Sequence, residues 1–342
     1  MRKLLFIGAL VLMTAMAFAQ NAPATNYEIY GSTFFDYQLS GTELDFNAPA
    51  LSNFTFSKLR IGLKAQLADG LKSSFEFDPR NGEFRLAYID WVPLENLTLT
   101  IGKTFTNFEQ IIAIYGGARM LLAGVKYAIP GFGWAGLQVG NKSDISFISG
   151  NYMIFPPLAA GASQTQSLKY QQDPWLSLMP AIVFKPDLGQ DITLEAGAES
   201  QFIPQLLGVT SPTGLGIDGY FTVAAYGFTF TNEFAWLNAN DKDKANQEYT
   251  YYAQLTYNAG MVSPTIYIVT DTRQDFSNNP NTAIGVELPI QVAKNFKINP
   301  LFSYAIAGFN AFEGNNAIAQ GLYKENDWTL GIRFDYSFSI KF

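Results

Sequence analysis

The last fifteen residues of the chain, "WTLGIRFDYSFSIKF" at 328–342, alternate strictly between two kinds of side chain. Every even position is apolar or aromatic, and every odd position is polar, charged or glycine. A period of two residues is the signature of a β-strand, whose successive side chains point to opposite faces. Strands of soluble sheets usually run about five or six residues, whereas a tilted membrane crossing needs roughly nine to eleven plus its interfacial ends. The segment therefore favours a membrane-crossing strand over a half-buried strand of a soluble sheet.

The first twenty residues, "MRKLLFIGALVLMTAMAFAQ", have the three parts of a secretory signal. Basic residues come first, a short apolar stretch follows, and Ala-Phe-Ala at 17–19 forms a cleavage site of the A-x-A type. A membrane anchor is the alternative, but the apolar stretch is short for a membrane helix. The sequence predicts a signal peptide over residues 1–19 and an exported mature chain over residues 20–342.

Charge and composition exclude several classes of function. Without Arg2 and Lys3, the mature chain keeps 20 of its 22 basic residues against 29 acidic ones, a net charge of −9, which argues against nucleic acid as a partner. The chain has no histidine and no cysteine, so Ser-His-Asp and Cys-His catalysis and zinc sites built from these residues are impossible. The sequence thus predicts a protein that is not an enzyme and holds no cofactor or metal, although catalysis by paired carboxylates or a lysine stays open.

The apolar residues of the chain are spread out rather than concentrated. Charged residues make up 15% of the chain, aromatic residues another 15%, and no apolar run after the signal approaches the length of a membrane helix. Apolar residues instead recur in alternating segments, which is how a transmembrane β-barrel covers its lipid face.

Sixteen segments carry this alternation between turn-forming residues, with fourteen or eighteen strands as alternatives. They lie at 27–39, 54–67, 71–78, 84–91, 97–103, 119–128, 132–140, 177–185, 191–201, 218–225, 227–238, 249–258, 262–271, 281–290, 296–306 and 328–342. Short turns, such as 68–70 and 259–260, alternate along the chain with longer connections, such as 104–118 and 239–248. The expected fold is all-β: a transmembrane antiparallel barrel with short periplasmic turns, longer external loops and both termini on the turn side.

The number of strands bears on function because barrel diameter grows with it. Barrels of sixteen to eighteen strands leave an aqueous channel, so the expected function is passive diffusion of ions and small hydrophilic solutes. A substrate-specific channel for a sugar or a small acid is one alternative, supported by the inward-phase aromatics Tyr30, Phe34 and Tyr252. A structural or adhesive barrel whose loops bind a partner is the other.

The alternation also predicts which charged side chains line the channel. The candidates for the pore lining or its constriction are Lys58, Arg60, Lys64, Lys72, Glu76, Arg85, Glu109 and Lys126. Arg85 faces the lumen only if Phe84, Leu86 and Tyr88 face lipid, and the neighbouring Ile89 and Trp91 favour the opposite phase. A basic wall facing an acidic loop would orient polar solutes through a transverse field.

One part of the chain resembles a known family. Residues 54–103, "FTFSKLRIGLKAQLADGLKSSFEFDPRNGEFRLAYIDWVPLENLTLTIGK", resemble the early hairpins of Gram-negative-type outer-membrane β-barrel porins, including the general and the phosphate-selective-porin-like families. The resemblance implies a location in the cell outer membrane, contact with outer-membrane lipid, a homotrimer, and a third long loop that narrows the channel. That loop is 104–118, with Glu109 as its carboxylate, and a plug contact or a strand extension is the alternative there. Because the mature chain is acidic and has few arginines, a general or weakly selective porin is expected rather than a phosphate-specific one.

The C-terminal strand carries a second resemblance. Tyr336, Phe338, Ile340 and Phe342 are similar to the C-terminal signal by which such barrels are recognised for membrane insertion. This resemblance implies that the barrel-assembly machinery is a partner and that the final aromatic ring is an address as well as a lipid contact.

Overall fold

A computed structural model describes residues 26–41, 51–80, 82–106, 119–142, 175–189, 191–203, 213–241, 244–272, 281–307 and 328–342. Within these ranges the chain forms one sheet of seventeen strands whose pairings are all antiparallel. The same ranges contain no helix of the length and apolarity that a membrane crossing demands. The predicted signal peptide, 1–19, lies outside the described residues.

The seventeen strands are numbered in chain order. They are β1 (Tyr27–Gly41), β2 (Leu51–Ala68), β3 (Leu71–Asp78), β4 (Glu83–Leu94), β5 (Leu97–Phe105), β6 (Arg119–Ile129), β7 (Gly133–Lys142), β8 (Trp175–Phe184), β9 (Ile192–Ile203), β10 (Thr213–Ala225), β11 (Phe228–Asp241), β12 (Lys244–Tyr257), β13 (Thr265–Thr272), β14 (Asn281–Glu287), β15 (Ile290–Ala293), β16 (Phe296–Ala307) and β17 (Trp328–Lys341).

The sheet closes on itself. Strands that follow one another in the chain pair, except that β14 and β15 both pair with β16. β1 also pairs with β17, from Glu28 opposite Lys341 to Gly41 opposite Trp328. The seam ends in two backbone hydrogen bonds between the terminal strands: the Phe342 N–H donates to the Tyr27 carbonyl at 2.9 Å, and the Tyr27 N–H donates to the Phe342 carbonyl at 3.3 Å. Closure leaves the described sheet without an exposed edge. Lipid would not tolerate such an edge, because it offers no hydrogen-bond partners to the backbone.

Two of the seventeen segments are halves of one crossing. β14 and β15 both pair with β16 and continue one another across Leu288 and Pro289. Proline has no N–H to donate to the ladder, so the regular pairing stops there. The barrel therefore has sixteen crossings, and the predicted all-β antiparallel barrel is confirmed.

The two ends of the barrel differ in their connections. Two-residue turns join several hairpins at the end that also holds both termini, and at 226–227 both residues have positive φ, 52° and 83°. This pair of values is typical of the tight turns that match the twist of paired strands. We call this end the short-turn end. Most of the longer connections predicted at the other end fall outside the described residues.

The connection at 239–248 is shorter than its composition indicates. β11 continues to Asp241 and β12 begins at Lys244, opposite it in register. A strand that extends beyond the membrane meets water on both faces, so it lacks the apolar period that marks a crossing. The polar composition of this segment is therefore compatible with a strand.

The two faces of the wall differ in chemistry. Large apolar side chains stand exposed along the outer face: Ile61, Ile101, Leu121, Val125, Ile182, Ile217, Phe221, Phe230, Leu255, Ile266, Ile284, Leu330 and Ile332. On the inner face, carboxylates such as Asp36, Asp218 and Glu233 are fully or almost fully buried. An apolar outer band around a polar interior is the arrangement that a barrel in lipid requires.

Candidate functional site

One side of the inner wall concentrates positive charge around a single carboxylate. Glu76 on β3 has Arg60 Nε at 3.7 Å and Arg85 Nε at 3.3 Å from the same oxygen, Oε1. The register explains the contact, because Glu76 lies opposite Gly62 on β2 and Leu86 on β4. The carboxylate thus holds two guanidinium groups side by side on the lumen face.

A phenylalanine ring extends this cluster to the seam of the barrel. Lys58 Nζ lies 4.0 Å and Arg333 Cζ 4.8 Å from the ring centroid of Phe34 on β1. The ring face attracts both cations, and the Arg333 Nε–H also donates to Asp36 Oδ1 at 2.8 Å. We call the four cations of this side, Lys58, Arg60, Arg85 and Arg333, the basic wall.

Arg85 reaches the lumen through a β-bulge. Glu76 pairs with Leu86 and Phe77 pairs with Phe84, so Arg85 is an extra residue in its strand. Phe84 stands on the outer face, with its ring centroid 5.3 Å from that of Phe77, while Leu86 is buried on the inner face. The bulge interrupts the alternation of inward and outward side chains at this point. Arg85 and Leu86 can therefore both point inward, although they are adjacent in the chain.

The remaining described candidates lie nearer the short-turn end. Lys64 Nζ is 3.8 Å from Glu28 Oε2 and 4.8 Å from the ring centroid of Tyr30. Lys126 Nζ lies 4.2 Å from the ring centroid of Trp134. Lys72 is placed on the inner face by its register opposite Gln66 and Asp90. Each of the three lysines is exposed, and this exposure makes them available to water in the lumen.

The expected acidic partner of the basic wall belongs to the third long loop. β5 ends at Phe105 and β6 begins at Arg119, and Glu109 lies outside the described residues. Whether 104–118 narrows the channel therefore stays a prediction.

Sequence reasoning missed three carboxylates on the inner face of β9 to β11. Glu199, Asp218 and Glu233 are 3%, 1% and 0% exposed, and Asp218 is the direct register partner of Glu199. We call them the acidic wall. The alternation of the predicted strands places all three on the lumen side; Glu199, for example, comes four residues after the lumen-facing Glu195. The sequence pattern could therefore have identified them.

The acidic wall and the basic wall face each other across the barrel. Counting β14 and β15 as one crossing, β3 and β11 are eight crossings apart in either direction around the sixteen. The acidic wall and Lys58, Arg60 and Arg333 lie well inside their strands, whereas Arg85 is the third residue of β4. Opposed charges on facing walls generate a field across the lumen, and low-dielectric surroundings strengthen it.

Tyrosine rings pack closely on glycines of neighbouring strands along the inner wall. A Cβ at Gly62 would lie 2.1 Å from the Tyr30 ring, and a Cβ at Gly197 would lie 2.2 Å from the Tyr220 ring. In both pairs the two residues belong to neighbouring strands in register. The Tyr220 hydroxyl then donates to Glu195 Oε1 at 3.1 Å, which anchors the far end of that ring.

No protein-family model matches the sequence, and comparison with curated protein sequences finds no significant match. Several solved structures share the fold. An anion-selective porin from Comamonas acidovorans superposes with a TM-score of 0.59 at 10% identity, covering 92% of this chain and 100% of that one. OmpF of Salmonella typhi, in a complex with daunomycin, gives 0.60 at 11% identity over 91% of this chain and 97% of that one. The trimer form of OmpT, an outer membrane protein of Vibrio cholerae, gives 0.56 at 11% identity over 92% and 100%. The chain therefore has the fold of the outer-membrane porins, a closed antiparallel barrel of sixteen strands.

Proposed function

We propose that the protein is a porin of the cell outer membrane that lets ions and small hydrophilic solutes diffuse through a water-filled channel. The observation that carries this proposal is the pair of oppositely charged walls on β1–β4 with β17 and on β9–β11. Charges on a closed barrel's inner face are costly unless water or a partner solvates them. An aqueous lumen supplies that solvation to the exposed Lys64, Lys72 and Lys126 and to the partly exposed Arg60 and Arg333, and sixteen crossings leave room for it.

The ion pairs support an open interior. Arg60 and Arg85 pair with Glu76 on the adjacent strand, and Arg333 pairs with Asp36 across the seam. These pairs join neighbouring strands rather than opposite walls. The field between the two walls is therefore available to orient polar solutes on passage. Weak overall ion selectivity follows, because both signs of charge line the same zone.

The remaining parts of the proposal concern location and assembly. We propose export through a cleaved signal at 1–19 and insertion by the barrel-assembly machinery. The apolar outer face is consistent with this route and with contact with outer-membrane lipid. A homotrimer is proposed by analogy with the trimer form of OmpT from Vibrio cholerae. A channel role rather than an enzymatic one is part of the same proposal.

Conductance in planar bilayers tests the function. Folded protein, verified by its heat-modifiable migration in a gel, should give steady ion conductance that scales with salt concentration. Liposomes carrying the protein should swell in neutral solutes at rates that fall with solute size. Folded protein without steady conductance would contradict the proposal and would favour a structural or adhesive barrel.

A further inference from the structure

We infer that a cavity on the inner face of β12–β16 binds a neutral polyhydroxylated solute of monosaccharide size as it passes the short-turn mouth of the channel. This inference rests on the proposed porin function and names a solute class for it. The cavity has a volume of about 430 Å³. The residues 258–264 connect β12 to β13 at the short-turn end, and four of them, Asn258, Gly260, Met261 and Ser263, line the cavity. The cavity therefore opens at that mouth.

Uncharged hydrogen-bonding groups dominate one side of the cavity. Gln254 Nε2 donates to Thr256 Oγ1 at 2.8 Å, and the hydroxyls of Thr256 and Thr265 lie 2.9 Å apart on adjacent strands. Thr265 Oγ1 in turn bonds to the Ser263 carbonyl at 3.1 Å. These contacts hold the hydroxyls in a fixed row. Thr265 donates its one proton to the Ser263 carbonyl, so Thr256 donates its own to Thr265. The remaining lone pairs of the two hydroxyls can accept hydrogen bonds from the hydroxyls of a sugar.

The other side of the cavity carries one charge of each sign. Glu287 lines it from β14 and Lys297 from β16. The Asn299 Nδ2–H donates to Glu287 Oε2 at 2.9 Å and orients the carboxylate. A carboxylate is a strong acceptor for hydroxyl donors. Because the two charges cancel, the cavity does not favour an ion of either sign over a neutral solute.

The break in the crossing at Pro289 shapes the site. Pro289 and Met261 line the cavity, and Met261 is 64% exposed. Their apolar surface suits the C–H face of a sugar ring, which hydroxyl groups cannot cover. The opposite edge is rigid, because the buried Tyr267 ring packs against Gly285, where a Cβ would lie 2.1 Å from the ring. A preformed site with a few fixed polar groups is what solute recognition needs.

A zwitterion such as an amino acid is a different class of solute. It could use Glu287 and Lys297, but it would leave the threonine hydroxyls without a role. The number of uncharged groups in the lining therefore favours the polyhydroxylated solute.

The test measures ion current through the reconstituted full-length channel while D-glucose is added to the short-turn side. The wild-type current should fall saturably with glucose concentration. Thr256→Val should raise the half-blocking concentration about fivefold, and Glu287→Gln, which keeps the shape of the side chain, about tenfold. Thr222→Val is the matched control, because Thr222 and Thr231 form a similar hydroxyl pair at 3.2 Å outside the cavity. The control should block like the wild type.

The outcomes separate the inference from the proposed function. Steady conductance without saturable block by glucose would overturn the inference and leave the porin intact. Saturable block by glycine but not by glucose would also overturn it, in favour of a zwitterion site. Equal effects of Thr256→Val and Thr222→Val would show that the cavity is not where glucose binds. Absence of conductance from folded protein would overturn the proposed function itself.

Discussion

Asp36 and Arg333 join the first and the last strand of the barrel through one short ion pair. The Arg333 Nε–H donates to Asp36 Oδ1 at 2.8 Å, although 297 residues separate them in the chain. Asp36 is fully buried, and the two residues are direct register partners at the seam. The pair therefore locks the register at the point where the sheet closes.

Removing one partner of this pair should weaken the closed barrel. Asp36→Ala leaves the Arg333 guanidinium without its carboxylate, and we expect the free energy of unfolding in detergent to fall by about 2 kcal/mol. Urea titration monitored by heat-modifiable gel migration measures the loss. The double variant Asp36→Ala/Arg333→Met should recover part of it, because no lone charge then remains. Equal losses in the single and double variants would contradict a specific role for the pair.

Charge reversal in the basic wall should change ion selectivity. Arg60→Glu replaces a lumen cation beside Glu76 with a second carboxylate, so the reversal potential in a salt gradient should shift toward cations. Lys294→Glu, in the exposed turn between β15 and β16, is the matched control. Exposed turn charges are screened beyond roughly 8 Å in physiological salt, so this variant should hardly move the potential. A larger shift from Lys294→Glu would place the narrow zone elsewhere.

Neutralising the acidic wall should act in the opposite direction. Glu233→Gln keeps the size of the side chain and removes a negative charge from the wall that faces Glu76, Arg60 and Arg85. We therefore expect the reversal potential to shift toward anions, measured in the same salt gradient. Arg60→Glu changes the lumen charge by two units and Glu233→Gln by one in the opposite sense, so the double variant should keep about half of the shift toward cations. If Glu233→Gln leaves the potential unchanged, the two walls do not act on the same stretch of the ion path.

Two glycines on the paired strands β9 and β10, Gly197 and Gly219, should tolerate substitution very differently. A Cβ at Gly197 would lie 2.2 Å from the Tyr220 ring, whereas a Cβ at Gly219 would have only the Gly197 carbonyl oxygen nearby, at 3.8 Å. Gly197→Val should therefore cost about 1–3 kcal/mol by overpacking. Gly219→Val should be neutral or stabilising, because valine favours strands. The yield of folded protein and its midpoint in urea distinguish the two, and similar values for both variants would rule out the ring contact as the cause.

The final residue allows insertion to be separated from stability. The Phe342 side chain is 68% exposed on the outer face, while its backbone forms the closing bonds with Tyr27. Phe342→Ser keeps those bonds, so we expect reduced assembly into the outer membrane but an unchanged urea midpoint for the protein that does fold. Deleting Phe342 should lower both. If Phe342→Ser and Ser339→Ala give equal membrane yields, the terminal ring is not an address.

Much of the barrel could be predicted because a strand's alternation is a local property. The period of two in 59–67 and 328–342 places each side chain on a face, and short turns join strands that are neighbours in the chain. All sixteen predicted crossings are present, and their pairing brings Lys58 to Phe34, Arg60 to Glu76 and Lys64 to Glu28. None of this requires knowledge of distant residues, since hairpin pairing depends on adjacent segments.

The tertiary structure decided what depends on closure and on exceptions to the alternation. The bulge at Arg85 shifts the phase within one strand, and period counting assumes that the phase is constant. The break at Pro289 opens a cavity that strand boundaries do not reveal. The opposition of Glu233 to Glu76 depends on the total number of crossings and on the pairing of β1 with β17. A single strand carries no information about the strand on the far side of the lumen, because that relationship exists only once the sheet has closed.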